Sequence, residues 1–176
     1  MERERRARNN QGEYRKLAII DVVYRVGICA AVLAAVCLFW IQGVPVVADN
    51  MAPTIRKGDI LLVDKLAHYA VTPVRGQIVA FDEPQSGERL IGRLIAFSGE
   101  RVLIQNGNLY INDAWLNEHA YLSLPSADID AFQVPDGSVF VMFDDRTEPG
   151  IVTPLSSIVG VVRLISWPFS RLSLFV

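Results

Sequence analysis

An uncharged apolar run near the N-terminus constrains this chain more than any other sequence feature. Residues 26–41 have the sequence VGICAAVLAAVCLFWI and contain no Asp, Glu, Lys or Arg. As a helix this run is about 24 Å long, and extension toward the N-terminus gives the roughly 30 Å needed to cross a bilayer. Asp21 and Arg25 then lie at i, i+4 and can pair, and Trp40 suits a membrane interface. We predict a transmembrane anchor over residues 18–41.

Charge is distributed unevenly around this run. Residues 1–25 contain seven Lys/Arg and four Asp/Glu, whereas the remaining residues contain ten basic and fifteen acidic side chains. Since basic flanks stay in the cytoplasm, we predict a single-pass protein of the cell membrane, with a basic cytoplasmic tail over 1–17 and an extracytoplasmic domain over 42–176. The net negative charge of the outer domain excludes nucleic acid as a partner. A cleaved signal peptide is the alternative, with Val46 and Ala48 at its −3 and −1 positions.

The cysteines and histidines offer no reactive centre in the outer domain. Both cysteines, Cys29 and Cys37, lie in the predicted anchor, and the two histidines, His68 and His119, are far apart in the sequence. The outer domain can therefore form no disulfide and offers neither a thiol nucleophile nor a thiolate metal site. We predict that the protein binds no metal and uses no cofactor.

Short apolar runs alternate with turn residues after Pro45, which is the pattern of β-strands. Asn106-Gly107 lies between two such runs and predicts a type I′ hairpin, and Pro135-Asp136-Gly137 predicts a second turn. We predict a mostly β, antiparallel and partly barrel-like domain on one N-terminal transmembrane helix. The predicted strands are residues 60–63, 77–81, 90–97, 102–104, 109–111, 139–143 and 158–165.

Four sequence blocks, in order, resemble motifs of the type I signal peptidase family. In the first block, residues 47–54 resemble a box in which a serine precedes Met-x-Pro-Thr, and residues 58–65 resemble its continuation. In the second block, residues 75–81 resemble the strand Arg-Gly-Asp-Ile-Val. The residues at the motif positions of these two blocks are Met51, Pro53, Thr54, Gly58, Asp59, Arg75 and Gly76.

The third and fourth blocks complete the resemblance. Residues 90–100 resemble Lys-Arg-Val-Ile-Gly-x-Pro-Gly-Asp, and residues 134–146 resemble a segment that ends in Gly-Asp-Asn-Arg. The residues at the motif positions of these two blocks are Arg93, Gly99, Asp144, Asp145 and Arg146. Because the four blocks span most of the outer domain, the resemblance implies the β-fold of signal peptidases on a membrane anchor.

Four positions depart from the pattern of that family. The family's serine falls at Asn50 and its lysine at Gly92, and Phe143 and Asp145 stand in place of the glycine and the asparagine of Gly-Asp-Asn. In the mechanism that the resemblance implies, a hydroxyl attacks the scissile carbonyl and a lysine, kept neutral by burial, takes its proton. An amide is a poor nucleophile, glycine has no side chain, and Arg93 stays protonated. We predict a degenerate dyad at Asn50 and Gly92 and no catalytic residue there.

A dyad at another place is the alternative. The outer domain has two lysines, Lys57 and Lys65, and no serine before Ser86. A Ser–His–Asp arrangement of distant residues stays open. Because loss of a nucleophile alone lowers a rate by about 10⁶-fold, we predict a pseudoenzyme. An active serine signal peptidase with an unrecognised dyad remains the competing interpretation.

The resemblance also implies a groove in which an exported peptide lies beside two strands. Replacement of lysine by glycine is expected to open space there, and Asn50 keeps a hydrogen-bonding group. A plain strand-edge surface is the alternative interpretation. The predicted groove residues are Val46, Val47, Ala48, Asp49, Asn50, Met51, Arg89, Leu90, Ile91 and Gly92.

Signal-peptidase-like proteins that lack the dyad resemble the pilus assembly factors of Gram-positive bacteria. The resemblance implies a membrane-anchored, non-catalytic chaperone or assembly factor that binds exported proteins, such as pilin subunits, near a sortase. Besides an active signal peptidase, a second alternative is an accessory subunit that binds a sortase or an active signal peptidase. The expected partners are therefore an exported client, possibly with a sortase, and the lipid bilayer.

Overall fold

The computed structural model describes residues 19–36, 40–66, 73–116 and 128–175. Contacts divide the chain into two units, Met1–Trp40 and Ile41–Val176. The predicted cytoplasmic tail over 1–17 and both histidines lie outside the described residues.

The first unit contains the apolar helix α1, Ile19–Val36, whose 18 residues are long and apolar enough to cross a membrane. Asp21 Oδ2 and Arg25 Nη2 lie 2.9 Å apart, so the predicted i, i+4 pair is confirmed. The large apolar side chains of α1 are exposed, which is unfavourable in water and not in lipid. Ile41, which we predicted as the last anchor residue, is instead the first residue of a strand.

The second unit consists of short strands joined by turns. Two 3₁₀ turns, Leu155–Ser157 and Phe169–Arg171, flank the longest strand. The strands among the described residues are β1 Ile41–Pro45, β2 Ile60–Asp64, β3 Ile78–Asp82, β4 Arg89–Phe97, β5 Arg101–Gln105, β6 Asn108–Ile111, β7 Ala114–Trp115, β8 Ile129–Gln133, β9 Ser138–Met142, β10 Ile151–Pro154, β11 Ile158–Trp167 and β12 Ser173–Leu174.

These strands form two antiparallel sheets. The larger sheet has the order β1-β2-β11-β3-β4-β9-β10, with β12 beside β11, and the smaller sheet has the order β7-β6-β5-β8. In the β5–β6 hairpin Asn106 and Gly107 have φ angles of 53° and 72°, as a type I′ turn requires. The predicted class, mostly antiparallel β with one N-terminal apolar helix, is confirmed.

All seven predicted strands are present, with bounds that differ by a residue or two. Sequence reasoning missed β1, β8 and β10, and the two-residue strands β7 and β12. Gly43 and Pro45 interrupt the apolar pattern of β1, and β8 buries little of its surface, so neither strand carries a clear period-two signal.

Buried apolar side chains form three clusters that meet along β9. Phe140 and Met142 belong to the cluster between the two sheets. Val141 belongs to a second cluster, with Phe81 of β3 and residues of β4 and β11. Phe143, just beyond β9, belongs to the cluster that packs against β1, β2 and the segment after β1. Successive side chains on a strand point to opposite faces, so β9 supplies two of the clusters, and the residue that follows it supplies the third.

Candidate functional site

Two strand edges without a partner strand lie near each other in the outer domain. Strand β1 pairs with β2 alone. In β4, residues 89–92 pair with β3, whereas β9 begins to pair only at Arg93, opposite Met142. Across the part of the chain that the structure describes, no strand covers the second edge of β1 or of residues 89–92. We call residues 89–92 of β4 and segment 46–50, which directly follows β1, the strand-edge site.

One side-chain contact and one apolar cluster connect the two edges. Arg89 Nη1 donates to Gln42 Oε1 at 3.4 Å, and Val44 of β1 lies in the same buried cluster as Ile91 of β4. Arg89 also donates to both carboxylate oxygens of Asp82, at 2.8 and 3.1 Å. This hydrogen bonding raises the pKa of the Arg89 guanidinium above its ordinary value, so Arg89 is a permanent positive charge at this end of the site.

Segment 46–50 is fixed by backbone hydrogen bonds, and its one buried residue, Val46, is followed by exposed residues. Val46 N donates to Asp59 O at 2.9 Å, and Val46 O accepts from Gly58 N at 3.0 Å. Val46 is 6% exposed and Val47 is 71% exposed. Ala48 and Asp49 are exposed as well. The predicted groove residues are therefore of two kinds, exposed rim residues and buried floor residues.

Asn50 occupies the position that resembles the family's serine, in a turn directly before the buried Met51. Its side chain is half-buried, and its carbonyl accepts a hydrogen bond from Asp145 N at 2.9 Å. The carboxylate of Asp145 accepts from Thr147 Oγ1 at 2.7 Å and from Thr147 N at 3.0 Å. These two hydrogen bonds lower the pKa of Asp145 below its ordinary value. Asn50 is thus held through its main chain by the N–H of Asp145, whose carboxylate is itself bonded to Thr147.

Gly92 occupies the position that resembles the family's lysine, and it has no room for a side chain. A Cβ atom added to Gly92 would overlap Val141 Cγ1, and it would lie 3.3 Å from Met142 O and 3.4 Å from Phe81 Cε1. The space next to the Cα of Gly92 is therefore occupied on this face of β4, and the expectation that glycine opens space for a peptide, where the lysine ammonium group would lie, stays a prediction. The physical reason for the occupied space is that β9 brings Val141 against Gly92 and fills it with a methyl group.

The next residue, Arg93, joins all four sequence blocks in one buried network. Its guanidinium donates to Asp144 Oδ1 at 2.9 Å and Oδ2 at 2.8 Å, and to Gly76 O at 2.8 Å. Thr54 Oγ1 donates to Asp144 Oδ2 at 2.6 Å. The side chains of Arg93 and Asp144 are 6% and 0% exposed. Removal of one partner from such a pair leaves an uncompensated buried charge, so this network is a structural anchor of the site.

A second ion pair, which the sequence analysis missed, supports the loop that carries Asn50. Arg171 Nη2 donates to Asp59 Oδ2 at 3.1 Å and to Thr54 O at 3.2 Å. Asp59 is 2% exposed and also accepts from Arg56 N at 2.9 Å. Arg171 lies outside the four blocks, near the C-terminus, and no sequence signal linked it to this loop.

The remaining motif residues support turns at a distance from the strand-edge site. Arg75 donates to Ile95 O and to Glu100 Oε1, the latter at 2.5 Å, and its guanidinium lies 5.7 Å from the ring centroid of Phe97. Gly99 has a φ of 81°, which favours glycine. Pro53 follows a cis peptide bond in the loop after Asn50. Arg146 is buried.

The described serine hydroxyls with defined partners bond to backbone atoms or to carboxylates. Ser98 Oγ accepts from Gly137 N at 3.2 Å. Ser86 Oγ donates to Glu83 Oε2, and Ser166 Oγ donates to Ile60 O. Lys57 N donates to Asp49 Oδ1 at 2.8 Å, so this lysine lies beside the segment that carries Asn50. Within the described ranges, no three His, Cys, Asp or Glu side chains are grouped to hold a metal ion.

Comparison with known proteins agrees with the four sequence blocks. The family described as signal peptidase, peptidase S26, matches residues 19–167. A probable signal peptidase I-1 of Synechocystis is 33% identical over 137 residues, which cover 70% of each chain. Signal peptidase I U of Bacillus subtilis is 28% identical over 174 residues, which cover 90% of this chain and 92% of that protein. A crystal structure of a signal peptidase I from Enterococcus faecalis overlaps 52% of this chain and 97% of that chain, with 28% identity and a TM-score of 0.45. The chain belongs to the peptidase S26 family of signal peptidases.

Proposed function

We propose that this chain is a membrane-anchored member of the signal peptidase family that holds exported proteins in an extended form without cleaving them. The proposed clients are pilin subunits on their way to a sortase. The two positions that resemble the family's serine and lysine are Asn50 and Gly92. Because these positions have neither a hydroxyl nor an amine, the acyl transfer used by the signal peptidase family would lack its nucleophile and its base here.

The overlap between Val141 and a Cβ at position 92 is the observation that carries the proposal. A general base must come within hydrogen-bond reach of the proton that it removes. The face of β4 from which a side chain at 92 would extend is filled by Val141 and Phe81. The guanidinium of the next residue, Arg93, is engaged with Asp144 and Gly76.

The two open strand edges support peptide binding. An extended peptide gains affinity from main-chain hydrogen bonds when it adds to a free strand edge. Residues 89–92 offer such an edge opposite β3, and the exposed side chains of Val47 and Ala48 face outward from the neighbouring segment. The strand-edge site is thus suited to a backbone-recognised, extended client.

The N-terminal apolar helix supports a membrane location for the proposed function. Helix α1 has the length and composition of a membrane span, and the Lys and Arg residues before it favour a cytoplasmic N-terminus. The outer domain then works on proteins that have just left the cytoplasm. Such proteins arrive unfolded, which is the form that strand addition requires.

A cleavage assay with a matched crosslinking assay tests the proposal. The full chain in detergent micelles is incubated with a pre-pilin carrying its signal peptide, beside an active signal peptidase I as the positive control. We expect no cleavage. A photo-crosslinking amino acid at Val47, which is 71% exposed, should capture the client, whereas the same group at Val74, which is 58% exposed, should not.

Each other outcome points to a competing function. Turnover that is lost on mutation of a single serine would establish an active signal peptidase and overturn the proposal. Adducts at position 47 that contain only a sortase or an active signal peptidase would establish an accessory subunit. Equal capture of client at positions 47 and 74 would show that the strand-edge site has no binding role.

A further inference from the structure

Three predicted groove residues lie in the core and not on the surface. Val46, Met51 and Ile91 are 6%, 0% and 6% exposed. All three belong to one buried cluster that also contains Phe143, which is 3% exposed. The side chains that could line an apolar recess beneath the strand-edge site are therefore packed around an aromatic ring of the protein itself.

The backbone on both sides of Phe143 is held in place. Met142 pairs with Arg93 in the β4–β9 ladder, and Asp144 is bound by Arg93 and Thr54. The ring of Phe143 cannot leave the cluster by a backbone movement unless this network breaks. In the sequence, Phe143 stands where the resembled motif has glycine, a residue that would leave this volume unfilled.

We propose that Phe143 is a specificity-determining residue that fills, from within, the apolar pocket beneath the strand-edge site. This inference rests on the proposed function and makes it narrower. The site accepts an extended peptide through its backbone and through rim contacts with residues such as Val47 and Arg89. It has no recess for a client side chain, so it does not select clients by the size of an inward-facing residue.

The inference predicts that the affinity of the wild-type protein for a peptide depends little on the size of the peptide's side chains. The probes are labelled Gly-Ser hexapeptides in which each position in turn is Gly, Ala or Val. Wild-type affinity should vary less than twofold across the series. In Phe143→Ala, the vacated volume should bury the probe's side chain at one position, and affinity should rise by about fourfold per added carbon, the equivalent of about 0.8 kcal/mol per buried methylene group.

A second measurement tests the filled pocket without any peptide. An apolar cavity made by truncation stays dry and binds benzene. Benzene titrated into Phe143→Ala, as the full chain in micelles, should shift the methyl NMR signals of Ile91 and Met51. The matched control is Phe140→Ala, which truncates an equally buried ring in the cluster between the sheets and should leave these signals unchanged. If Phe143→Ala does not fold, Phe143→Leu is used in its place. This variant leaves a smaller cavity, which is probed with xenon.

The outcomes separate this inference from the proposed function. A steep size preference in the wild type overturns the inference, as does a folded Phe143 variant in which neither benzene nor xenon reaches Ile91. If the wild type binds none of the peptides, the proposed function fails, while the benzene measurement still decides whether Phe143 fills a pocket.

Discussion

Gly92 and Arg93 are neighbours on β4, yet they belong to two regions of contrasting character. Arg93 points into a polar network that joins four separated segments of the chain. Gly92 faces the apolar cluster that contains Val141 and Phe81. Since adjacent residues on a strand point to opposite faces, the two positions can change independently. The contrast teaches that the buried polar network of Arg93 and the position that resembles the family's lysine, Gly92, lie on opposite faces of the same strand.

The sharpest way to break this comparison is to remove the polar network. Asp144→Ala leaves the Arg93 guanidinium buried without its carboxylate, and we expect the free energy of unfolding to fall by about 3–5 kcal/mol. The control is Asp82→Ala, which removes the exposed partner of Arg89. This variant should change the free energy of unfolding by about 0–1 kcal/mol. Urea unfolding of the full chain in micelles measures both. Equal losses would mean that the buried network is no anchor.

Two glycines on neighbouring edge segments provide the next test. Gly92→Ala forces a methyl group against Val141, and such overpacking lowers the free energy of unfolding by about 1–3 kcal/mol. Gly43→Ala on β1 places its Cβ at an ordinary 3.8 Å from Ile60 Cγ2, and we expect a change of about 0.5–1 kcal/mol in the stabilising direction.

A double variant makes this test specific. Val141→Ala removes the overlapping methyl group, so the cost of Gly92→Ala should shrink in the Val141→Ala background. A double-mutant cycle measured by urea unfolding gives this coupling directly. If the two changes are additive, Val141 is not what excludes a side chain at position 92.

The smallest expected effect concerns the loop bonded to Asn50. The two hydrogen bonds from Thr147 lower the pKa of Asp145, so they favour the ionised carboxylate. Their contribution to stability is present above the ordinary aspartate pKa and is lost as the pH falls through the lowered value. Thr147→Val removes the hydroxyl and should raise the pKa of Asp145, whereas Thr147→Ser should not. NMR titration of the Asp145 carboxyl carbon checks the sign, and an unchanged titration in Thr147→Val would contradict it.

The sequence predicted the parts of the fold whose signals are local. The seven strands rich in Val, Ile, Leu and Phe and the Asn106-Gly107 turn were found because each depends on a few consecutive residues. Strand β1 was missed because Gly43 and Pro45 obscure it and because it directly follows the predicted anchor. Strands with mixed exposure, such as β8, give a pattern that a loop also gives.

The candidate site was predicted in its sequence positions but not in its packing. The resemblance placed Asn50, Gly92 and Asp144 in three separate blocks, and the structure joins the blocks through Arg93. That Val141 fills the space at Gly92 depends on the register of β9 against β4. That Arg171 holds Asp59 depends on the path of the C-terminal segment. Both contacts join residues that are far apart in the sequence, so they cannot be predicted from a single sequence before the fold is known.

The open edges of β1 and β4 also bear on how copies of this protein meet on a crowded membrane surface. An unpaired strand edge is a template for any extended chain, including the edge of an identical molecule. Pro45 has no N–H to offer at the end of β1, and Arg89 puts a positive charge at the start of β4; both features oppose edge-to-edge association. The edges that we propose as binding sites for an extended client thus carry two features that disfavour aggregation of the unliganded protein.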